Sequence, residues 1–395
     1  MLERAIFRNS EDSFLIGIGC EAAFHQESSR QWNELDAFIE QHKNRTLFTI
    51  INYQLGSDIL NVSHKPNVLP LLQIWVPKST YLLQNDRYFF LEGKDSHAHF
   101  EAARQLFQTD TQLPENIQWK AKTDHETYLQ RVNKLKEHIQ FGDIYEINFC
   151  QLFEASGIEL ENMQPFFQTL WKNNPTPFTA LAETENWMLA SASPERFIRK
   201  VGNQLISQPI KGTAPRGKTI TEERELIRNL EINPKERAEN IMIVDLVRND
   251  LSQIATKGSV RVDELCAVYT FPTVHQLIST ISCELKKNIR FSDILKAVFP
   301  MGSMTGAPKK AAVELSEYYE GFSREFYSGS FGVIYPNGDF DLNVLIRTIV
   351  YNPQLKQLSC GVGGAITILS DAEAEYEECR TKVGKILALF GTCQW

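Results

Sequence analysis

DAEAEYEECRTKVGKIL (371–387) carries apolar residues at helical spacing along an acidic run, and predicts an apolar-faced helix over about 372–390. On it Glu375 and Glu378 are three apart and Lys382 lies four beyond Glu378, so the three share one face. Upstream, KERAENIMIVDLVRND (235–250) repeats the device. Glu236 and Glu239 are three apart, and Ala238, Ile241, Met242 and Leu246 recur as a helix requires. Taken alone, each run reads as a solvated acidic face, with Glu378–Lys382 an ordinary i, i+4 pair worth a few tenths of a kcal/mol. Four carboxylates converging from two helices would instead demand a cation, and oxygen-only ligands suit Mg²⁺. The choice between these readings rests on whether the fold brings the helices together.

Around these helices the chain alternates short strands with helices, the pattern of an α+β protein. TLFTIINYQLG (46–56) and VLPLLQIWV (68–76) have strand length and β-branched or aromatic content. QWNELDAFIEQH (31–42) and AHFEAARQLF (98–107) have helical spacing. LPENIQWKAKTD (113–124), polar and containing a proline, is the best boundary between an N-terminal α+β region (1–115) and the remainder (116–395). Thr123 or Asp124 can cap the next helix, in which Tyr128, Val132, Leu135 and Ile139 recur. Tyr335–Asp339 contains an Asn-Gly pair suited to a hairpin turn.

With 395 residues, 43% of them hydrophobic and 23% charged, the chain has ample material for a core, which excludes dominant disorder. A net charge of −8 excludes a bulk electrostatic pull on nucleic acid, while leaving room for a local anion site. Seven scattered cysteines with no C-x-x-C spacing suit buried thiols in a reducing compartment better than a disulfide framework or a zinc site. The N-terminus, MLERAIFRNSED, is charged where a signal peptide needs an apolar core, and no apolar run approaches a bilayer span. A soluble, cytoplasmic protein is expected.

GTAPRGKT (212–219) satisfies the letter of a phosphate-binding loop, and IMIVD (241–245) imitates its acidic partner strand. Pro215 removes one N–H from the cradle, the TEERE that follows repels triphosphate, and IMIVD fits a helix. A P-loop NTPase is therefore a distant alternative, and ATP binding discriminates it.

Several further stretches, read with the two acidic helices, resemble the chorismate-utilising enzymes. They are SPERF (193–197), PIKGTAPRG (209–217), KERAENIMIVDLVRNDL (235–251), FPTVHQL (271–277), FPMGSMTGAPK (299–309), IRT (346–348) and GGAITILSDAEAEYEE (363–378). They run in the family's order over about 143–385; the N-terminal 115 residues match weakly. The resemblance implies an α+β fold of two large antiparallel β-sheets packed as a sandwich, with helices outside and the site between. Lys211 in PIKGT, where anthranilate synthases usually have Ala, and GSMTGAP (302–308) are similar to the branch called aminodeoxychorismate synthase component I.

The branch resemblance implies conversion of chorismate and ammonia to 4-amino-4-deoxychorismate for p-aminobenzoate and folate. By that resemblance Lys211 adds to C2 of chorismate as the C4 hydroxyl leaves, and ammonia then displaces it by attacking C4. An amine in a desolvated pocket can lose its proton and act this way. Glu195 is implied as the acid–base group assisting the hydroxyl, a role that needs a carboxyl protonated near neutral pH; alone, Ser-Pro-Glu reads as a turn. His275 matches the family's active-site histidine, or is a satisfied core histidine. Glu239 and Glu378 are implied Mg²⁺ ligands, with Glu236 and Glu375 helping directly or through water. Arg347 would pair with the enolpyruvyl carboxylate, assisted by Tyr327. Thr213, Ser303, Lys382 and the backbone N–H groups of Gly363, Gly364 and Ala365 would complete the anion cradle.

Two residues depart from the family pattern. Glu146, in GDIYEINFCQ, stands where amino-transferring relatives usually carry Gln and isochorismate and salicylate synthases a water-activating Lys. It argues against the hydrolytic relatives and leaves its own role open. Ala365 replaces a usual Gly and keeps its N–H. No glutaminase segment is recognisable, so ammonia is expected from a separate glutamine amidotransferase subunit. The alternatives are anthranilate synthase component I and a non-enzymatic chorismate-binding protein.

Overall fold

The computed structural model describes residues 3–10, 12–28, 30–108 and 112–395. Among the described residues lie twenty β-strands and ten α-helices. All strand pairings are antiparallel except one, between the C-terminal strand Gly391–Gln394 and Ile117–Ala121. One layer runs from Arg87–Gly93 through Leu72–Gln84, Ser13–Gln26, Arg4–Ser10, Phe178–Glu183, Met188–Ser193, Thr348–Asn352 and Gln357–Ile366 to Glu146–Ser156. The other runs from Leu47–Ile51 through Ser330–Ile334, Phe340–Asn343, Arg196–Val201 and Gln204–Gln208 to Val274–Glu284. Ile210–Pro215 and Arg261–Thr270 also pair with that last strand.

The two expected sheets are hydrogen-bonded into one network, because Leu72–Gln84 belongs to both. Its first residues pair with Leu47–Ile51 and its last with Arg87–Gly93. Thirteen residues give it the length to serve both layers, and a register shift in its neighbour between Cys20 and Ala22 marks the bend. Phe7, Leu15, Phe48, Trp75, Trp187 and Phe331 fill the space between the layers. Outside, Tyr128, Val132 and Leu135 of the His125–Phe141 helix and Tyr376, Cys379 and Val383 of Ala372–Leu387 pack with Phe149 and Phe153. Each such side chain contributes roughly 1.5–3 kcal/mol by leaving water. Asp124 caps the first of these helices, accepting from Thr127 N at 2.9 Å.

The first hundred residues are woven into both layers, through Arg4–Ser10 against Phe178–Glu183 and Leu47–Ile51 against Ser330–Ile334. The polar stretch 113–124 contains a strand, Ile117–Ala121. Ile117 and Trp119 are buried and Gln118 and Lys120 face out, a two-residue alternation masked in the sequence by its proline and charges. In the hairpin after Ser330–Ile334 only Gly338 takes positive φ. All seven cysteines are free, five of them buried. Among the described residues no helix is long and apolar enough to cross a membrane.

The phosphate-loop imitation is resolved as a strand running into a helix cap. Gly212 to Pro215 lie in Ile210–Pro215, and the N–H groups of Gly217 and Lys218 are taken by Glu223 and Glu222 of the next helix. IMIVD lies inside the helix Pro234–Ile254.

Candidate active site

Lys211 comes from the Ile210–Pro215 strand, Glu146 from the start of Glu146–Ser156, Glu195 from the turn before Arg196–Val201, and Glu239 from the Pro234–Ile254 helix. Topology alone brings them together, since 65 residues separate Lys211 from Glu146, whose Oε1 lies 3.3 Å from Lys211 Nζ. Burial pulls the Lys211 amine down, but the carboxylates of Glu146, Glu239 and Glu195 outweigh it and hold the amine above its ordinary value. Desolvation alone predicts a lysine that sheds its proton; the surrounding carboxylates keep the resting side chain an ammonium.

Glu195 is buried, and its Oε1 accepts from Ser303 Oγ at 2.7 Å. Burial raises its carboxyl to about 7, against the opposing effects of Ser303, Lys211 and the Ile210 backbone. Ser303 sits in the short turn Gly302–Met304. That turn leads to the Lys309–Tyr319 helix, tied to the Pro234–Ile254 helix by Lys309 Nζ, 2.6 Å from the buried Asp250.

The two acidic helices do converge. Lys235 Nζ lies 3.9 Å from Glu239 Oε1 and 3.7 Å from Glu375 Oε1, and so joins one helix to the other. Burial pulls Lys235 down, while Glu375, Glu239, Glu378 and Glu236 together raise it, so all four carboxylates bear on one ammonium. Burial also raises Glu239 to about 7, with Glu146 and Glu236 adding to it and the lysines opposing. Its buried Oε1 has no hydrogen-bond partner. For Glu378, burial is outweighed by Lys382, 2.6 Å away, and by Lys235 and Lys211, which leaves its carboxyl below the ordinary range.

Among the described residues no three His, Cys, Asp or Glu side chains stand ready-made around one point. The donors nonetheless suit a hard cation. They are carboxylates from two helices, one with an orphaned buried oxygen, already gathered about a positive charge. Two glycines keep room for them. A Cβ on Gly212, whose φ is +79°, would stand 3.0 Å from Glu236 Oε2, and one on Gly364 would stand 3.3 Å from Glu375 Oε2.

Arg347 has a φ of +52° and a guanidinium to which no described residue is hydrogen-bonded or ion-paired. Burial alone draws its pKa down, the state of a cation awaiting an anion. Tyr327 is buried against Gly361, and burial, reinforced by Cys150, holds its hydroxyl far above the usual range. Gly363, Gly364 and Ala365 pair with Cys150, Phe149 and Asn148, and Lys382 Nζ reaches the Gly363 carbonyl at 3.4 Å. Thr213 is exposed on the Ile210–Pro215 strand, in register with Gln276. His275 is fully buried. Its Nδ1 lies 2.9 Å from Thr270 Oγ1 and its Nε2 3.2 Å from Glu223 Oε2, at an angle that makes no hydrogen bond. Those partners set it in the wall toward the Ile220–Ile232 helix.

Sequence reasoning passed over two features. Lys235 is hidden in a run of mixed charge. The buried Arg324 carries no local signal: it donates to the carbonyls of Met304 and Asn148, both at 2.8 Å, and to Glu320, whose Oε1 accepts from Cys150 N. It thereby fastens the Ser303 turn to the strand that begins at Glu146.

This sandwich, with its lysine and carboxylates between the layers, places the chain in a known class: residues 3–388 match the family of chorismate binding enzymes, and the chain belongs to it. Among its relatives is aminodeoxychorismate synthase component 1 of Escherichia coli K12, 34% identical over 346 residues, which are 86% of this chain and 75% of the relative. The protein of the same name from Salmonella typhimurium LT2 is 39% identical over 68% of this chain and 58% of its own length. A crystal structure of anthranilate synthase component I from Streptococcus pneumoniae superposes with a TM-score of 0.81 over 95% of this chain and 92% of the other, at 21% identity, and so shares the fold.

Proposed function

We propose that this protein is the chorismate-converting component of an aminodeoxychorismate synthase, making 4-amino-4-deoxychorismate from chorismate and ammonia for p-aminobenzoate and folate synthesis. The observation that carries this reading is Lys211, a nearly enclosed amine in contact with Glu146 and within the field of the raised carboxyl of Glu195. The relatives' shared name supports it.

Arg347 binds one substrate carboxylate through its free guanidinium, assisted by Tyr327. Thr213, Lys382 and the backbone at Gly363, Gly364 and Ala365 line the rest of the anion site. Mg²⁺ held by Glu239 and Glu378, with Glu236 and Glu375, would supply the positive charge that fixes the ring carboxylate. Glu195, protonated near neutral pH and oriented by Ser303, gives its proton to the departing C4 hydroxyl while Lys211 bonds to C2. His275, set back against Thr270 and Glu223, would act on the ring substituents only through its wall. Ammonia would come from a separate glutamine amidotransferase subunit, which the word component in the relatives' names favours. The free buried thiols suit the cytoplasm.

The test is to supply chorismate, Mg²⁺ and ammonium and follow products by mass spectrometry. Aminodeoxychorismate is expected, with p-aminobenzoate only after a lyase is added; direct release of anthranilate would overturn the assignment. Glu378→Ala should abolish both Mg²⁺-dependent turnover and calorimetric Mg²⁺ binding, and an unchanged Mg²⁺ isotherm would displace the metal site.

A further inference from the structure

Glu146 is 1% exposed; its Oε1 faces Lys211 Nζ at 3.3 Å and its Oε2, equally buried, has no hydrogen-bond partner. A carboxylate sealed from water with half its acceptor capacity unused is costly to fold. Its backbone is fixed by pairing with Ala307, and Tyr145 N donates to the Ala307 carbonyl at 2.7 Å, so the side chain cannot swing out to solvent cheaply. A glutamine has the same shape, so what sets Glu146 apart is its charge, which faces the Lys211 ammonium.

We propose that Glu146 is a catalytic residue, the base that takes a proton from Lys211 to free its amine and returns it when the lysine is released. This rests on the reaction proposed above. The charged groups that bear on Glu146 are Lys211 on the Ile210–Pro215 strand and Glu239 on the Pro234–Ile254 helix, and Glu195 also bears on Lys211. Glu195 has to keep its proton for the leaving hydroxyl and Glu239 belongs to the acidic helix pair, which leaves Glu146 as the acceptor in contact with Nζ.

The step balances. The Nζ–H proton passes to Glu146, the Nζ lone pair bonds to C2, the ring double bonds shift, and the C4–O bond breaks. The departing oxygen takes the Glu195 proton and leaves as water. Ammonia then bonds to C4, the double bonds shift back, and the C2–Nζ bond breaks with its electrons on nitrogen. Glu146 returns its proton to Nζ, and the new C4 ammonium gives one to Glu195. Chorismate and ammonia are consumed, and aminodeoxychorismate and water formed.

The experiment compares Glu146→Gln with the natural protein, as full chains with saturating Mg²⁺ and ammonium, by kcat/KM for chorismate from pH 6.5 to 8.5. Taking the ratio of the two rates cancels the Glu195 limb. The variant should be about tenfold or more slower at pH 6.5, with a ratio climbing about tenfold per pH unit as solvent takes over removal of the lysine proton. A ratio of one throughout, or a constant deficit independent of pH, would overturn the proposal. In parallel, pH-dependent acylation of Lys211 read by mass spectrometry should show its midpoint falling in the variant; an unmoved midpoint also overturns it. If neither protein makes aminodeoxychorismate, the reaction assignment fails, and the acylation midpoint still decides whether Glu146 governs the lysine proton.

Discussion

Replacing Glu195 by Gln should slow turnover by orders of magnitude and, above neutral pH, make the protein more stable. Burial, partly offset by Ser303, Lys211 and the Ile210 backbone, lifts this carboxyl from an ordinary 4.5 to about 7. A group raised in the folded state binds its proton more tightly there than in the unfolded chain. Its stabilising contribution is therefore complete below 4.5 and is lost as pH rises through about 7. At 1.36 kcal/mol per pH unit, that gap amounts to ~3 kcal/mol, of which ~2 kcal/mol is lost between roughly pH 5.5 and 8.5. Gln cannot ionise, yet it offers Ser303 the same acceptor, so the variant escapes the loss. For a chain of 395 residues, unfolding entropy is about 0.8 kcal/mol per kelvin, so the advantage of Glu195→Gln should grow by ~2–3 °C over that range. Paired thermal melts at pH 5.5, 7 and 8.5 measure it, while kcat should fall by roughly 10²–10⁴. A difference in melting temperature that stays constant with pH would refute the claim that burial, and not local geometry, sets the Glu195 proton.

Ser303→Ala removes a hydrogen bond that favours the ionised form of Glu195, so the alkaline fall in rate should move up by about one pH unit; a downward move in the pH–rate profile contradicts the assigned donor. Asp250→Asn leaves the Lys309 ammonium buried without its partner and should cost ~3–5 kcal/mol in urea unfolding, most of it recovered in Asp250→Asn/Lys309→Met. No recovery in the double variant would mean the pair is not what the site's turn hangs on. Arg347→Met should raise KM for chorismate by roughly 10²-fold through loss of a charge-assisted contact, without lowering Tm, because the guanidinium has no partner among the described residues. A lowered Tm with KM unchanged argues against a binding role.

How much of this was legible in the sequence depended on range. The helices around Glu239 and Glu375 announce themselves because their buried residues repeat at 3.6, a local property. The Trp119 strand was obscured because the residues flanking its two-residue alternation are proline and charge. That Leu72–Gln84 joins both layers follows from pairings on both its halves, which no window of sequence contains. The site divides likewise. Motifs named Lys211, Glu195 and the four carboxylates, but the protonation of Lys211 depends on carboxylates arriving from a strand, a turn and a helix far apart in the chain. Desolvation is inferable from apolar neighbours in sequence; the opposing field comes from tertiary structure.

The same field bears on how an anion enters. In the free protein the cations around the site are mostly engaged: Lys211 by Glu146, Lys235 by Glu239 and Glu375, Lys382 by Glu378. Arg347 stands apart with no described partner, so on the proposed reading one substrate carboxylate would meet an unpaired positive charge. A second carboxylate would meet the acidic helices, where like charges ~4 Å apart repel by about 4 kcal/mol at an effective dielectric of 20. That repulsion is as large as the attraction one arginine offers at the same range, so binding of a dicarboxylate to the free protein gains little. A divalent cation taken up by Glu239, Glu375, Glu378 and Glu236 would reverse the sign at that end. It would also release Lys235 from the two carboxylates it bridges. With the proposed cation bound, the acidic helices would become an anion site, repulsive alone and attractive once charged; in the free protein Lys235 is the positive charge on which the four carboxylates bear.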